Sequence, residues 1–237
     1  MRTVQAVAWK EIQIYFSSPT AYIVAMIFLA LASFFFVRDL SNPFPQASMS
    51  SFFQGATIIL ILLAPTLTMR LLAEEQKLGT IELLLTSPVR DWEVVLGKYI
   101  ASLVFLLGTI LLTVYFVILL VIFADPDFGA IWSGYLGLIL YGAAALSIGL
   151  LTSTLTSNQI VAAVVSLGIL VLLSFLELGA DQVTGVGSTI VAQLGLTTHF
   201  DDFVRGVIDT SHLVYYVSLI AVFLFLTIRS LETRRWR

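Results

Sequence analysis

The sequence contains 237 residues, of which 12 are Lys or Arg, 15 are Asp or Glu, and none is Cys. Charged residues make up 11% of the chain, whereas soluble domains carry about 25%, and 59% of the residues are hydrophobic. This composition excludes a soluble globular domain and predicts an integral membrane protein. The missing cysteines exclude disulfide scaffolds, thiolate metal sites, iron–sulfur clusters and cysteine nucleophiles.

The N-terminal segment 2–16 has the pattern of an amphipathic helix lying along the inner membrane surface. Glu11 departs from this pattern, because it projects into the apolar stripe and needs a partner or a polar rim. Since Arg2, Lys10 and Glu11 interrupt the first turns, we expect no cleavable signal peptide. The apolar side consists of Val4, Val7, Ala8, Ile12, Ile14, Tyr15 and Phe16.

Six apolar segments follow, each long enough to cross a hydrocarbon core of about 30 Å as a helix. They do not alternate between apolar and polar residues as the strands of membrane barrels do. A polar cluster at 152–159 separates the fourth from the fifth. We therefore predict a single all-α membrane domain over residues 1–237. Its predicted spans are about 20–37, 52–72, 98–123, 131–151, 160–176 and 212–228.

The basic residues indicate the orientation of the spans. With the N-terminus in the cytoplasm, ten of the twelve Lys and Arg residues fall on the inner side, and only Arg38 and Arg205 fall outside. Both termini are therefore predicted to be cytoplasmic. The basic tail Arg229–Arg237 is interpreted as an anchor to anionic lipid headgroups.

The segment 179–211 is predicted to be external, with two short re-entrant helices near 188–196 and 203–208 before the last span. Thr198 and Asp201 have the spacing of a capping box for a short helix. His199, Asp201, Asp202 and His212 are the candidate metal ligands in this segment, and we expect them to bind no metal.

Several motifs are missing from the sequence, and their absence narrows the function. There is no P-loop, no H-E-x-x-H and no G-x-S-x-G, so the chain is predicted not to be an enzyme. The middles of the predicted spans carry no ionisable residue, although proton and ion pathways normally need one. The energy source is therefore expected to lie on another chain.

The cytoplasmic segment 71–97 is the most informative part of the sequence. Gly79 is predicted to end the extension of the second span, and Thr80 to cap a short helix, Ile81–Leu85, that Pro88 terminates. A helix of one and a half turns is too short to be stable alone and must dock on a partner. Ser87 and Asp91 are candidate caps for the helix that leads into the third span.

This segment resembles the motif between the second and third spans of type-2 (ABC-2) ABC transporter permeases, especially the short form associated with bacterial gliding motility. The resemblance extends to the amphipathic N-terminal helix, the six spans and the external re-entrant helices. Gln76 and Lys77 depart from it, because relatives often have arginines there. The residues that carry the resemblance are Glu75, Gly79-Thr80, Glu82-Leu83-Leu84, Thr86-Ser87-Pro88, Trp92 and Gly97-Lys98.

The resemblance implies that Ile81–Thr86 is a coupling helix that inserts into a cleft of a separate P-loop ATPase. ATP and Mg²⁺ would be bound by that partner, and no cofactor by this chain. Two permease chains, identical or different, would pair with two ATPases. The cluster 152–159 is either a second, smaller ATPase contact or an ordinary turn. The implied coupling residues are Glu75, Gly79, Thr80, Ile81, Glu82, Leu83, Leu84, Thr86 and Pro88, with Trp9, Lys10 and Glu11 of the interfacial helix.

The sequence-based hypothesis is therefore the permease subunit of an ATP-driven ABC-2 exporter in the bacterial cytoplasmic membrane. Its partners would be the ATPase, a second permease chain, membrane lipids and an external accessory protein, but no nucleic acid. One alternative is a secondary transporter or channel-like protein, which would work without an ATPase. Another is a membrane scaffold for an external assembly.

Overall fold

The computed structural model of the chain describes residues 2–40, 48–80, 89–180 and 193–235. The regular secondary structure of these residues is α-helical throughout, which confirms the all-α prediction. Six of the helical segments are long and apolar enough to cross a membrane, as the sequence predicts. The main helices are α1 (Arg2–Ser17), α2 (Pro19–Leu40), α3 (Ser50–Thr68), α4 (Arg70–Lys77), α5 (Asp91–Leu112), α6 (Val114–Phe123), α7 (Phe128–Leu155), α8 (Gln159–Ala180), α9 (Leu196–Val204) and α10 (Thr210–Arg235).

Three of the described spanning segments are much longer than the membrane is thick. The second, α3 with α4, and the fourth, α7, have 28 residues each, and the third, α5 with α6, has 33 residues. At 1.5 Å per residue they reach about 42 and about 50 Å, against about 30 Å of hydrocarbon. The helices therefore begin or end beyond the predicted limits, at Lys77 instead of 72 and at Asp91 instead of 98. The excess length lies on the face where α1 packs.

Helix α7 is the interior of the bundle and packs against α3, α8, α9 and α10. In the apolar 18-residue stretch of α7, 78% of the residues are buried, whereas in that of α10 only 11% are buried. Small side chains at 142–145, Ser147 and Gly149 let its neighbours approach closely, as is common between membrane helices. The peripheral helices direct their apolar side chains outward, where lipid can cover them.

Buried tyrosines tie these helices together. Tyr99 of α5 donates its hydroxyl to the carbonyl of Ala143 at 3.0 Å. The hydroxyl groups of Tyr141 and Ser174 lie 2.8 Å apart and join α7 to α8. Each bond satisfies a polar group that would be costly to leave unpaired in an apolar interior.

The structure corrects two predicted boundaries. Helix α7 ends at Leu155 rather than at 151, because the start of the polar cluster, Thr152–Thr154, is buried and helical. On the opposite face, one short helix runs over Leu196–Val204 and has Gly195 as its N-cap. The helix predicted at 203–208 is wrong, because the helix ends at Val204. The cap predicted at Thr198 is wrong, because Thr198 lies inside this helix. Leu196, Phe200 and Phe203 form its buried face. The region 181–192 lies outside the described residues.

The two histidines, His199 in α9 and His212 in α10, have different hydrogen-bond partners. His212 pairs with the Asp202 carboxylate at 2.7 Å. His199 donates from Nδ1 to the Gly195 carbonyl at 2.9 Å and stacks on the Tyr215 ring at 3.9 Å. Burial lowers the pKa of His199, which favours the neutral ring. Within the described residues, no three acidic or histidine side chains converge as a metal site would require.

Candidate functional site

A cluster of three charged side chains joins α1, α4 and α5 where they extend beyond the apolar spans. The ammonium group of Lys98, on α5, lies 2.7 Å from Glu11 Oε1 of α1 and 2.8 Å from Glu75 Oε1 of α4. One cation therefore links two carboxylates from distant parts of the sequence. We name Glu11, Glu75 and Lys98 the charge cluster.

The charge cluster is largely shielded from solvent. The Lys98 side chain is 2% exposed, and those of Glu11 and Glu75 are 9% and 19% exposed. A buried ion without a partner costs several kcal/mol, so these groups strongly favour the geometry in which they meet. Glu75 Oε2 has no hydrogen-bond partner among the described residues, which leaves one acceptor of the cluster unused. The cluster therefore fixes the position of α1 and α4 on α5.

Gly97 lets α1 come close enough for Glu11 to reach Lys98. A β-carbon at position 97 would lie 2.7 Å from Val7 Cγ1 and 3.2 Å from the Val4 carbonyl oxygen. Both distances are shorter than ordinary van der Waals contact. The Gly97-Lys98 pair in the sequence thus combines the closest backbone approach with the buried cation.

We expect Gly97→Ala to lower the free energy of unfolding by about 1–3 kcal/mol, because the added methyl forces α1 away from α5. The measurement is thermal unfolding of the purified protein in a mild detergent. Gly108→Ala is the matched control, since it lies in the same helix and its β-carbon would have no neighbour within 4 Å. Equal stabilities of the two variants would contradict the close approach of α1.

Further contacts hold both ends of α1. Near its start, the Thr3 hydroxyl donates to Glu93, whose second oxygen accepts from the Arg90 amide at 3.0 Å. Arg90, rather than the predicted Ser87 or Asp91, is thus the N-cap residue of α5. At the other end, buried Tyr15 donates its hydroxyl to the Leu67 carbonyl at 2.8 Å. Helix α1 is therefore packed into the helix bundle along its length.

Helix α4 is attached to α7 by hydrogen bonds at the point where the helix is interrupted, between Thr68 and Arg70. The Ser153 hydroxyl accepts from the amides of Leu72 and Ala73 at 3.1 and 3.0 Å, and it donates to the Met69 carbonyl at 3.0 Å. Gln76 adds a bond from its side-chain amide to the Thr154 carbonyl at 2.9 Å. The polar cluster that the sequence predicts to be a turn thus also anchors α4, through its first residues.

The end of α4 has the predicted form. Gly79 has a φ of +70°, a left-handed conformation that favours glycine after the C-terminus of a helix. The Thr80 hydroxyl donates to the Glu75 carbonyl at 3.3 Å. The other predicted coupling residues lie outside the described residues and stay predictions; they are Ile81, Glu82, Leu83, Leu84, Thr86 and Pro88.

The three predicted residues of α1 have different surroundings. Trp9 is 63% exposed, Lys10 is exposed, and Glu11 is buried in the charge cluster. Lys10 and Glu11 line an open cavity of about 510 Å³ together with residues of α4 and α5. Ile14 and Phe16 of the predicted apolar side are 40% and 49% exposed, where lipid can cover them. Among the three, only Glu11 therefore joins the helices by an ion pair.

Most of this chain matches a known protein family. The model of a family described as ABC-2 family transporter protein matches residues 5–220. The chain belongs to the ABC-2 family of transporter proteins. The resemblance carried by the segment 75–98 is thereby confirmed at the level of the family.

Two curated relatives of this ABC-2 protein are described as the probable multidrug ABC transporter permease YbhR. They come from Escherichia coli strain K12 and from Escherichia coli O157:H7. Each is 31% identical over 87 residues, which are 37% of this chain and 23% of the relative. The match thus covers less than a quarter of the length of these relatives.

Sequence reasoning about this ABC-2 protein missed the central position of Lys98. The motif contains Lys98, and the apolar stripe of α1 indicates that Glu11 needs a partner, but the sequence does not show that the two side chains meet. The signal was present, because Lys98 is the cation that begins the third predicted span. Ser153 was also missed, since a serine in a polar cluster gives no indication that it inserts into another helix.

Proposed function

We propose that this chain is the permease subunit of an ATP-driven ABC transporter, and that the transporter exports its substrate. The match to the ABC-2 family over residues 5–220 is the observation that carries this proposal. Export is supported by the relatives that are described as a probable multidrug ABC transporter permease. The chain itself would bind neither ATP nor Mg²⁺, because its sequence contains no P-loop.

The proposal places α1, α4 and both termini in the cytoplasm of a bacterium. The support is the excess of Lys and Arg on that side of the six apolar segments. The charge cluster lies on the same face, where helices longer than the membrane extend beyond it. The segment 81–88, between α4 and α5, would then face a cytoplasmic partner.

The charge cluster would transmit a displacement of the segment 81–88 to α1, α4 and α5. That segment connects α4 directly to the chain that enters α5, and Lys98 joins both helices to α1. A partner ATPase that closes on ATP would move the segment and tilt the second and third spans. The pathway between two permease chains would then face the other side of the membrane. ATP would thus shift the balance between the two orientations of the pathway, although it binds only to the ATPase.

The experiment is co-purification of the tagged, full-length protein from its native membranes in a mild detergent. We expect a P-loop ATPase to elute with it in a stoichiometric ratio, in a complex with two permease chains, identical or different. Transport by the reconstituted protein without any ATPase would contradict the proposal and favour a secondary transporter. A large external protein in place of the ATPase would contradict it in favour of a scaffold.

A further inference from the structure

A groove of about 490 Å³ runs between α2 and α3, and it shares Arg70 and Glu74 with the cavity beside the charge cluster. Its wall is apolar along most of its length and includes Ile23, Ile27 and Leu63. Its mouth is polar and contains Ser18, Thr20, Arg70, Glu74 and Gln159. A groove with one polar end and one apolar end is suited to an amphiphile rather than to a small polar solute.

Arg70 is the cation at this mouth, and its partners are uncharged. Its guanidinium donates to the hydroxyl groups of Ser18 and Thr20, each at 3.0 Å, and lies 4.6 Å from the centre of the Tyr15 ring. Among the described residues, no carboxylate lies within 4.0 Å of the guanidinium. Its charge is therefore held in place by neutral groups and is available to an anionic ligand.

The dimensions of the groove fit one leaflet of a bilayer. Thr20 lies in the first turn of the first span, and Arg70 follows the end of α3 at Thr68, after the apolar part of the second span. Lipid headgroups are found at this level. Ile27 is about 11 Å along α2 from Thr20, and Leu63 is about 11 Å along α3 from Arg70. The groove therefore reaches through most of the roughly 15 Å of hydrocarbon in a single leaflet.

We infer that this groove binds an anionic phospholipid of the leaflet next to α1, with the phosphate on Arg70 and an acyl chain along α2 and α3. The positive charge at the mouth selects for net negative headgroups, and the apolar wall requires the chain. Glu74, which lies exposed at the same rim, weakens this preference without removing it. The inference rests on membrane insertion alone, and not on the proposed ATPase partner.

The test is native mass spectrometry of the delipidated full-length protein, titrated with dioleoyl phosphatidylglycerol or dioleoyl phosphatidylcholine. We expect phosphatidylglycerol to bind about fivefold more tightly, which is the effect of one cation near a membrane surface. Arg70→Gln should abolish this preference, Arg70→Lys should keep it, and Glu74→Gln should increase it. Inorganic phosphate should not compete, because it has no acyl chain.

Two matched controls keep the result specific. Lys77→Gln removes one exposed cation on the same face but outside the groove, and it should leave the preference unchanged. Ile27→Trp fills the groove and should reduce binding of both lipids, whereas Ile58→Trp, on an exposed position of α3, should not. Equal losses in the paired variants would overturn the proposal. It would also be overturned if Arg70→Gln kept the preference, or if a second copy of the chain occupied the groove and excluded lipid.

Discussion

Lys98→Met is expected to lower the free energy of unfolding by about 3–5 kcal/mol and to release α1 from the bundle. The substitution leaves two carboxylates, Glu11 and Glu75, buried side by side without their common cation. Removing one partner of a buried ion pair is costly because the remaining charge stays desolvated. Thermal unfolding in one detergent, compared with the unchanged protein, measures the loss of stability.

The release of α1 can be measured by labelling an introduced cysteine, because the chain contains no other cysteine. Ala8 lies on the buried face of α1, so Ala8→Cys places a single thiol where a water-soluble maleimide should react slowly. In the Lys98→Met background the thiol should react quickly. The variant Glu11→Gln/Glu75→Gln/Lys98→Met removes all three charges and should recover much of the stability. A protected thiol and an unchanged unfolding temperature in Lys98→Met would show that the charge cluster does not hold α1.

Glu82→Lys is expected to abolish ATP-dependent transport while leaving folding and membrane insertion intact. If the proposed function holds, Glu82 would belong to the short helix that the family resemblance implies, and it would make a polar link in the ATPase cleft. Reversing its charge should replace that link with a repulsion that the membrane domain itself does not experience. The measurement is transport and ATPase stimulation in vesicles reconstituted with both subunits.

The matched control for Glu82→Lys is Glu232→Lys, which makes the same charge reversal on the same proposed side of the membrane. Glu232 pairs with Arg229 on an exposed surface of α10, so its contribution to stability is small. We expect this control to retain transport. Normal transport and normal ATPase stimulation in Glu82→Lys would refute the role assigned to the short helix.

The sequence predicts the membrane architecture well, because the long apolar segments leave few alternatives to spanning helices. The N-terminal helix is also predictable from its period. The period does not show which of its apolar residues meet the other helices: Val7 lies against Gly97, whereas Ile14 and Phe16 are exposed where lipid can cover them. Such contacts depend on the arrangement of several helices and are not encoded locally.

For a similar reason, the sequence predicts only part of the candidate site. A carboxylate inside an apolar stripe, such as Glu11, indicates that a partner exists, but not which of the basic residues provides it. Lys98 and Glu75 lie 87 and 64 residues away along the sequence, so spacing alone cannot select them. The segment 81–88, where the family resemblance is strongest, stays a prediction because it lies outside the described residues.

The Ser153 hydroxyl makes the two ends of the second span mechanically unequal. It accepts from the amides of Leu72 and Ala73 and donates to the Met69 carbonyl, so the first turn of α4 keeps its hydrogen bonds where the helix is interrupted. This link attaches the start of α4 to α7, which has the largest buried share of the six described spans. A displacement applied to the far end of α4 would therefore rotate α4 about Ser153 and would pass through Lys98 into the third span.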